Sequence, residues 1–142
     1  MKANELMIGD WVKHGFGYIG KVTELSNGIV TVYDKGLDDG EGNCEVNFAE
    51  NEIQPISLTP EILEKNGFGY VENDVNAYTG EILSHFYLGE EGYCANMDIH
   101  IGTYNEGIFW FNSPMAELHR IRYVHELQHI LWLAGVEKEI EL

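Results

Sequence analysis

Asn27 and Gly28 lie between two short runs of β-forming residues, at 21–25 and 29–33, and this arrangement constrains the fold more than any other feature. Asn-Gly suits a two-residue turn in which both central residues take positive φ, so it joins neighbouring antiparallel strands. Similar short runs follow the same pattern at 8–12, 45–48 and 53–56. We therefore predict an SH3-like β-barrel over residues 1–57, a length at which such a barrel can bury a core.

Residues 58–142 are predicted to form an α+β unit that begins with a short helix at 58–67. Thr59 can cap this helix, Pro60 suits its first turn, and Gly67 suits a left-handed stop. Alternating apolar residues then indicate an antiparallel meander of three or four strands, with segments at 81–88, 94–101 and 108–111.

A long helix is predicted over residues 115–133, opened by Ser113 and Pro114 and ended by Gly135. Its apolar residues gather in one stripe around Leu127, which should lie on the second sheet. Residues 136–142 alternate again, as an edge strand would. The predicted fold class is mainly β, or α+β, and the halves could be one domain or two.

The net charge of −16 restricts the classes of partner, because 24 acidic side chains outnumber 8 basic ones. Both halves are acidic, and such a field repels phosphate backbones and anionic lipid. We therefore expect no direct nucleic-acid or membrane binding. No signal peptide is recognisable at the N-terminus, and Cys44 and Cys94 lack metal-type spacing, which favours free thiols and a cytoplasmic location.

Residues 125–129 read His-Glu-Leu-Gln-His, the H-E-x-x-H spacing of zinc peptidases. In that chemistry His125 and His129 would hold the metal from one helix face, and Glu126 would act as general base on a bound water. On the helical wheel both histidines point away from Leu127, so we predict an outward, solvated pair.

A catalytic zinc site normally needs a third protein ligand. The longer pattern with a third histidine fails, because Trp132 and Gly135 occupy the positions of its glycine and histidine. The ligand would have to come from upstream, from one of four residues: His85, Asp98, His100 or His119. No cofactor is therefore predicted, with zinc as the alternative.

Two other motifs match binding templates and have simpler interpretations. Residues 15–20 fit G-x-G-x-x-G, but strand-like residues follow where a dinucleotide site needs a helix, which predicts a tight loop. Residues 34–45 place acids as a calcium loop does, but Asp39 stands where the invariant glycine belongs. A solvated hairpin loop is the prediction there.

Aromatic residues in the predicted barrel suggest an interaction surface. SH3-like barrels present such side chains in grooves that bind peptides. The candidate interaction residues are Trp11, Phe16, Tyr18 and Tyr33.

Several segments resemble a group of small uncharacterised proteins of gut anaerobic bacteria and their prophages or mobile elements. The resemblance rests on residues 1–6, 8–12, 55–68 and 123–128. The helix of that group reads roughly V-H-x-L-Q-N, which His125 and Gln128 fit, while His129 departs from the expected amide. The resemblance implies cytoplasmic members and no known activity, and it makes the complete H-E-x-x-H a local variation.

The leading hypothesis is a non-catalytic interaction or accessory protein of unknown role that binds another protein and derives from a phage or mobile element. The first alternative is a minimal zinc hydrolase that uses His125, Glu126 and His129. The second is an acidic mimic of nucleic acid that blocks a DNA-binding protein. The sequence names neither a partner nor an oligomeric state.

Overall fold

The computed structural model describes residues 1–15, 17–37, 44–75, 82–88, 99–104, 108–113 and 116–142. These residues form antiparallel sheets and two α-helices in two compact units. The first unit comprises Met1–Ser57 and Tyr123–Leu133, and the second comprises Leu58–Arg122 and Ala134–Leu142. The mainly β prediction with one C-terminal helix is confirmed. The C-terminal helix, however, belongs to the first unit, whereas the sequence placed it on the second sheet.

The sheet of the first unit contains five antiparallel strands in the order β4-β3-β2-β1-β5. Their bounds are β1 Trp11–His14, β2 Tyr18–Ser26, β3 Ile29–Tyr33, β4 Glu45–Ala49 and β5 Gln54–Pro55. Within the described residues no ladder joins β4 to β5, so backbone pairing does not close this sheet into a barrel. The predicted SH3-like barrel is therefore not confirmed.

The turn between β2 and β3 is the one that the sequence predicts. Ser26 pairs with Ile29, and the two residues between them take positive φ, 47° at Asn27 and 78° at Gly28. Positive φ at both central positions matches the right-handed twist of the two strands. The predicted hairpin is confirmed.

Alternation along these strands separates a buried face from an exposed one. The buried core cluster consists of Leu6, Val12, Val22, Val30, Val32 and Ile53. Gly20 lies in β2, where a Cβ would stand 2.4 Å from Val32 Cγ1 and 2.6 Å from the Tyr33 carbonyl oxygen. The last glycine of the G-x-G-x-x-G pattern is therefore needed for close strand packing, which agrees with the loop-and-strand interpretation.

The second unit contains the helix α1 and a five-stranded antiparallel meander. Thr59 Oγ1 accepts a hydrogen bond from Ile62 N at 3.4 Å, and Gly67 has φ 74°, so both predicted ends of α1 are confirmed. The sheet order is β10-β9-β8-β7-β6. The element bounds are α1 Pro60–Lys65, β6 Gly69–Val75, β7 Ile82–Leu88, β8 Ile99–Tyr104, β9 Ile108–Ser113 and β10 Ala116–Ile121.

The predicted helix over 115–133 is wrong in its first half. Ala116–Ile121 forms β10 and pairs with β9, and the helix α2 covers only Val124–Leu133. Residues 115–121 contain good helix formers, but pairing with a neighbouring strand overrides a weak local preference. Neither helix in the described part of the chain has the length and apolar character needed to cross a bilayer.

The C-terminal residues 136–142 do not form the predicted edge strand. The Asn66 side chain holds them instead, because it donates to the Glu141 carbonyl and accepts from the Glu141 N–H, each at 2.8 Å. Ile140 is fully buried beside this anchor in the sequence. The alternation that suggested a strand thus reflects one buried side chain in an irregular segment.

Candidate functional site

The N-terminus of α2 is fixed within the first unit by three contacts. Tyr123 forms an isolated bridge with Ser57, and Val124 N donates to the Ile56 carbonyl at 2.9 Å. Glu126 Oε2 accepts from the Tyr123 N–H at 3.1 Å, which satisfies one of the free donors at the start of a helix. Glu126 therefore caps the helix.

Gln128 joins α2 to the start of β1. Its Oε1 accepts from Trp11 N, and its Nε2 donates to the Gly9 carbonyl, each at 3.0 Å. One side-chain amide thus satisfies a backbone donor of β1 and a backbone acceptor two residues before it. A contact of this kind fixes both the distance and the rotation of the helix relative to β1.

His129 contacts the residue between those two. Its Nε2 lies 2.8 Å from Asp10 Oδ2 and 3.1 Å from Asp10 Oδ1. The Asp10 carboxylate is 2% exposed and also accepts from Met7 N at 2.7 Å. Because a buried carboxylate needs donors, these contacts make His129 a hydrogen-bond partner of Asp10.

His125 is buried, with 5% of its surface exposed. Its ring stacks on Tyr123, with centroids 5.7 Å apart and planes at 11°, and meets His129 edge-on. Its Nδ1 has no hydrogen-bond partner among the described residues, and leaving such an atom buried costs about 1–3 kcal/mol. Burial lowers the pKa of His125 below its ordinary value, although the Asp10 and Glu126 carboxylates oppose this effect.

A cavity of about 430 Å³ lies beside these residues in the first unit. Its size is typical of a site for a small ligand or a single side chain. The lining residues are Met1, Glu5, Pro55, Tyr123, His125, Glu126 and His129.

The prediction that both histidines point outward into solvent is wrong. His125 is buried, and His129 is held by Asp10. The apolar stripe itself is confirmed, since Val124, Leu127 and Leu131 are buried. A helical wheel separates apolar from polar positions. It does not represent a long-range hydrogen bond such as the one between Asp10 and His129.

The zinc interpretation lacks a ligand set in the described part of the chain. No group of three or more metal-binding side chains is placed there to hold an ion. Of the upstream candidates, Asp98 lies outside the described residues, and the others belong to strands of the second unit: His85 in β7, His100 in β8 and His119 in β10.

The candidate interaction residues separate into different places. Trp11, Lys21 and Tyr33 are cross-strand neighbours in one row over β1, β2 and β3. Lys13 and Ile19 pair in the adjacent row, on the same side of the sheet. We call these five residues the outer face.

The outer face combines aromatic and basic side chains. Tyr33 is 43% exposed and Ile19 is 40% exposed. Lys21 Nζ lies 4.8 Å from the centre of the Trp11 ring, within cation–π range. Two of the four lysines in residues 1–57 therefore lie on this surface of an acidic chain.

Tyr18 and Phe16 do not join this row. Tyr18 pairs with His14 on the opposite side of the sheet and stacks on its ring, with centroids 6.2 Å apart. It is nevertheless 57% exposed. Phe16 lies outside the described residues.

The acidic loop at 34–45 begins with a residue that already has partners. Asp34 Oδ2 lies 3.0 Å from His14 Nε2, and Asp34 Oδ1 accepts from Gly36 N at 2.7 Å. Residues 38–43 lie outside the described residues, as does Cys94, and Cys44 is a buried free thiol. Asp34 thus stabilises the end of β3.

The sequence interpretation missed Asp10, Gln128 and Glu5 as members of the site. Asp10 and Gln128 did stand inside the two motifs that carry the resemblance, at 8–12 and 123–128. The presence of both motifs in one chain was the sequence signal that could have linked these residues. In the structure the two motifs contact each other through Gly9, Trp11 and Gln128.

Comparison of the chain with protein-family models, with curated proteins and with solved structures finds no match.

Proposed function

We propose that this protein is a non-catalytic interaction module that binds a partner protein through the outer face. The row of Trp11, Lys21 and Tyr33 carries this proposal. Aromatic side chains supply much of the energy of protein interfaces, and here Trp11 and Tyr33 flank Lys21 in one strip across three strands. The strip also needs no movement of the backbone to become accessible, since Tyr33 is already 43% exposed.

The lysines of the outer face favour a partner segment with apolar and acidic side chains. Lys13 and Lys21 stand on neighbouring strands, so their ammonium groups can meet carboxylates of one partner. The net charge of −16 disfavours binding of such a segment to acidic parts of the surface.

Substitution at Tyr33 tests the proposal with a control on the same strand. Ile29 is 47% exposed and lies four residues away on the same side of β3, outside the row. A partner captured from lysate is purified and titrated against each variant. We expect Tyr33→Ala to weaken binding by about thirtyfold, which corresponds to about 2 kcal/mol, and Ile29→Ala to leave it nearly unchanged. Equal losses in both variants would refute the outer face as the binding surface.

Three further features belong to the proposal. The SH3-like barrel is retained as a hypothesis, supported by the position of β5 beside β1 at one end of the sheet order. An accessory role in a phage or mobile element rests on the resemblance of residues 8–12 and 123–128. A cytoplasmic location rests on the same resemblance and on the free thiol of Cys44.

The zinc hydrolase is the second candidate, favoured by the cavity that Glu126, His125 and His129 share. It would require His129 Nε2 to leave Asp10 or the metal to bind the other ring nitrogen. Glu126 would also have to act as a base while it caps α2. Hydrolysis of a peptide mixture that depends on added zinc and is lost in Glu126→Gln would support this candidate over the interaction module.

A further inference from the structure

We propose that the cavity beside α2 binds a guanidinium group, from a free arginine-type molecule or from an arginine side chain of a partner protein. This site shares no residue with the outer face, and the inference does not rest on the interaction proposed there. It would give the first unit a second binding site, which prefers a cation, whereas the outer face prefers acidic side chains.

The charge of the cavity selects a cation. Glu5 and Glu126 both line it, and Asp10 lies close enough to influence the His125 ring. Met1 also lines the cavity, and its charged amino group donates to the carbonyls of Ile53 and Glu50 at 3.1 Å and 3.4 Å. The three carboxylates near the cavity outweigh this one positive charge, so an entering group meets a net negative field.

A second observation, independent of the acids, points to a ligand. His125 is 95% buried, forms part of the cavity wall, and has an Nδ1 without a partner among the described residues. Native proteins pair most buried polar atoms, so an unpaired one on a residue that lines a cavity needs an explanation. Burial lowers the His125 pKa, which favours the neutral ring, and a neutral ring does not repel a cation.

The shape of the wall favours guanidinium over a compact ammonium ion. Tyr123 and His125 stack with an angle of 11° between their planes, and both line the cavity. A planar, weakly hydrated guanidinium can lie against such rings while its edge donates to carboxylates. Backbone N–H groups donate to Oε2 of Glu126 and of Glu5, which fixes the position of both carboxylates at the cavity.

Titration calorimetry with three probes tests the inference on the full chain. The probes are acetyl-arginine amide, an alanine peptide with one arginine, and the same peptide with citrulline, its uncharged isostere. We expect the arginine probes to bind and the citrulline peptide to bind at least about tenfold more weakly. Equal affinity for both arginine probes identifies a small-molecule site, and tighter binding of the peptide identifies a partner protein. Indistinguishable binding of the citrulline peptide, or no binding by either arginine probe, would overturn the inference.

Glu5→Gln supplies the matched variant. Its control is Glu52→Gln, because Glu52 also closes a short 3₁₀ turn, accepts from Ala49 N at 2.8 Å, and is exposed away from the cavity lining. Each variant removes one negative charge and keeps an oxygen that can accept the turn's hydrogen bond. We expect arginine binding to weaken about tenfold in Glu5→Gln and to be unchanged in Glu52→Gln.

A spectroscopic readout in the wild-type protein does not depend on how a variant folds. Addition of acetyl-arginine amide should shift the NMR signals of the His125 ring protons, and the citrulline peptide should not. If Zn²⁺ shifts these His125 signals and acetyl-arginine amide does not, the guanidinium site is refuted and a metal site is indicated instead.

Discussion

Three consecutive residues where the chain enters β1 each contact α2: Gly9 and Trp11 through Gln128, and Asp10 through His129. The partners are separated by 117 to 119 residues in the sequence. Hydrogen bonds of this range depend on tertiary structure, and no local pattern predicts them. The H-E-x-x-H motif was visible in the sequence, whereas the Asp10 partner of His129 was not.

Gln128→Ala should destabilise the protein by about 1–3 kcal/mol, because it removes the side-chain partner of the Trp11 N–H and of the Gly9 carbonyl. Urea unfolding measures the loss. Gln54→Ala is the control, since Gln54 is an exposed amide in β5 and its loss should change the free energy of unfolding by less than about 0.5 kcal/mol. Equal effects of the two substitutions would show that the Gln128 contacts contribute nothing specific.

His125 should make stability depend on pH in a defined direction. Its pKa is lowered in the folded protein from an ordinary value of 6.5, so the unfolded chain binds the proton first. The stabilising contribution is present above pH 6.5 and is lost as pH falls from 6.5 toward the folded pKa, with a slope of at most about 1.4 kcal/mol per pH unit.

His125→Phe removes this titration and keeps a flat ring against Tyr123. We expect the wild-type protein to lose stability relative to the variant when the pH falls from about 7.5 to about 5.5. Parallel pH profiles of the free energy of unfolding in the two proteins would contradict a lowered pKa at His125.

At the scale of elements, the strongest local signals gave correct structures. The Asn27-Gly28 hairpin and the capped helix α1 formed as predicted, because their turn and cap residues act within a few positions. β10 and the irregular C-terminal segment did not form as predicted. Pairing with β9 determines the conformation of the first, and hydrogen bonds from Asn66 determine that of the second. Sequence periodicity describes which side chains face a core, but it does not identify the element that covers them.

Close packing of β2 against β3 predicts a ranking of two glycine substitutions. Gly20→Ala would place a Cβ 2.6 Å from a backbone oxygen. The Cβ of Gly28→Ala would contact no other atom, so its cost comes from the positive φ of 78° alone. We expect Gly20→Ala to cost about 2–3 kcal/mol and Gly28→Ala about 1–2 kcal/mol. Thermal unfolding of both variants checks the order, and a more stable Gly20→Ala would show that β3 can move away.

At the scale of the whole molecule, the first unit is built from two separated parts of the chain. The chain leaves it after Ser57 and returns at Tyr123, and these two residues form a β-bridge. A sequence read in order assigns the last helix to its neighbours along the chain. For this reason the return of residues 123–133 to the first unit could not be predicted.

Residues 1–57 alone should not fold, because they lack the partners that α2 gives to Gly9, Asp10 and Trp11. The same residues joined to 123–133 by a short glycine-serine linker should fold, since the bridge places the joined ends side by side. Far-UV circular dichroism and amide NMR dispersion compare the two chains. Cooperative unfolding of 1–57 alone would show that α2 is dispensable for this sheet.

Residues 125–129 have either a structural role or a catalytic one that needs zinc. The zinc content of the full chain, purified without chelators, distinguishes the two roles. Because His129 binds Asp10 and Glu126 caps α2, we predict far less than one zinc per chain, and the same urea midpoint with and without added zinc. One tightly bound zinc per chain that disappears in His129→Asn would contradict this prediction and favour the hydrolase.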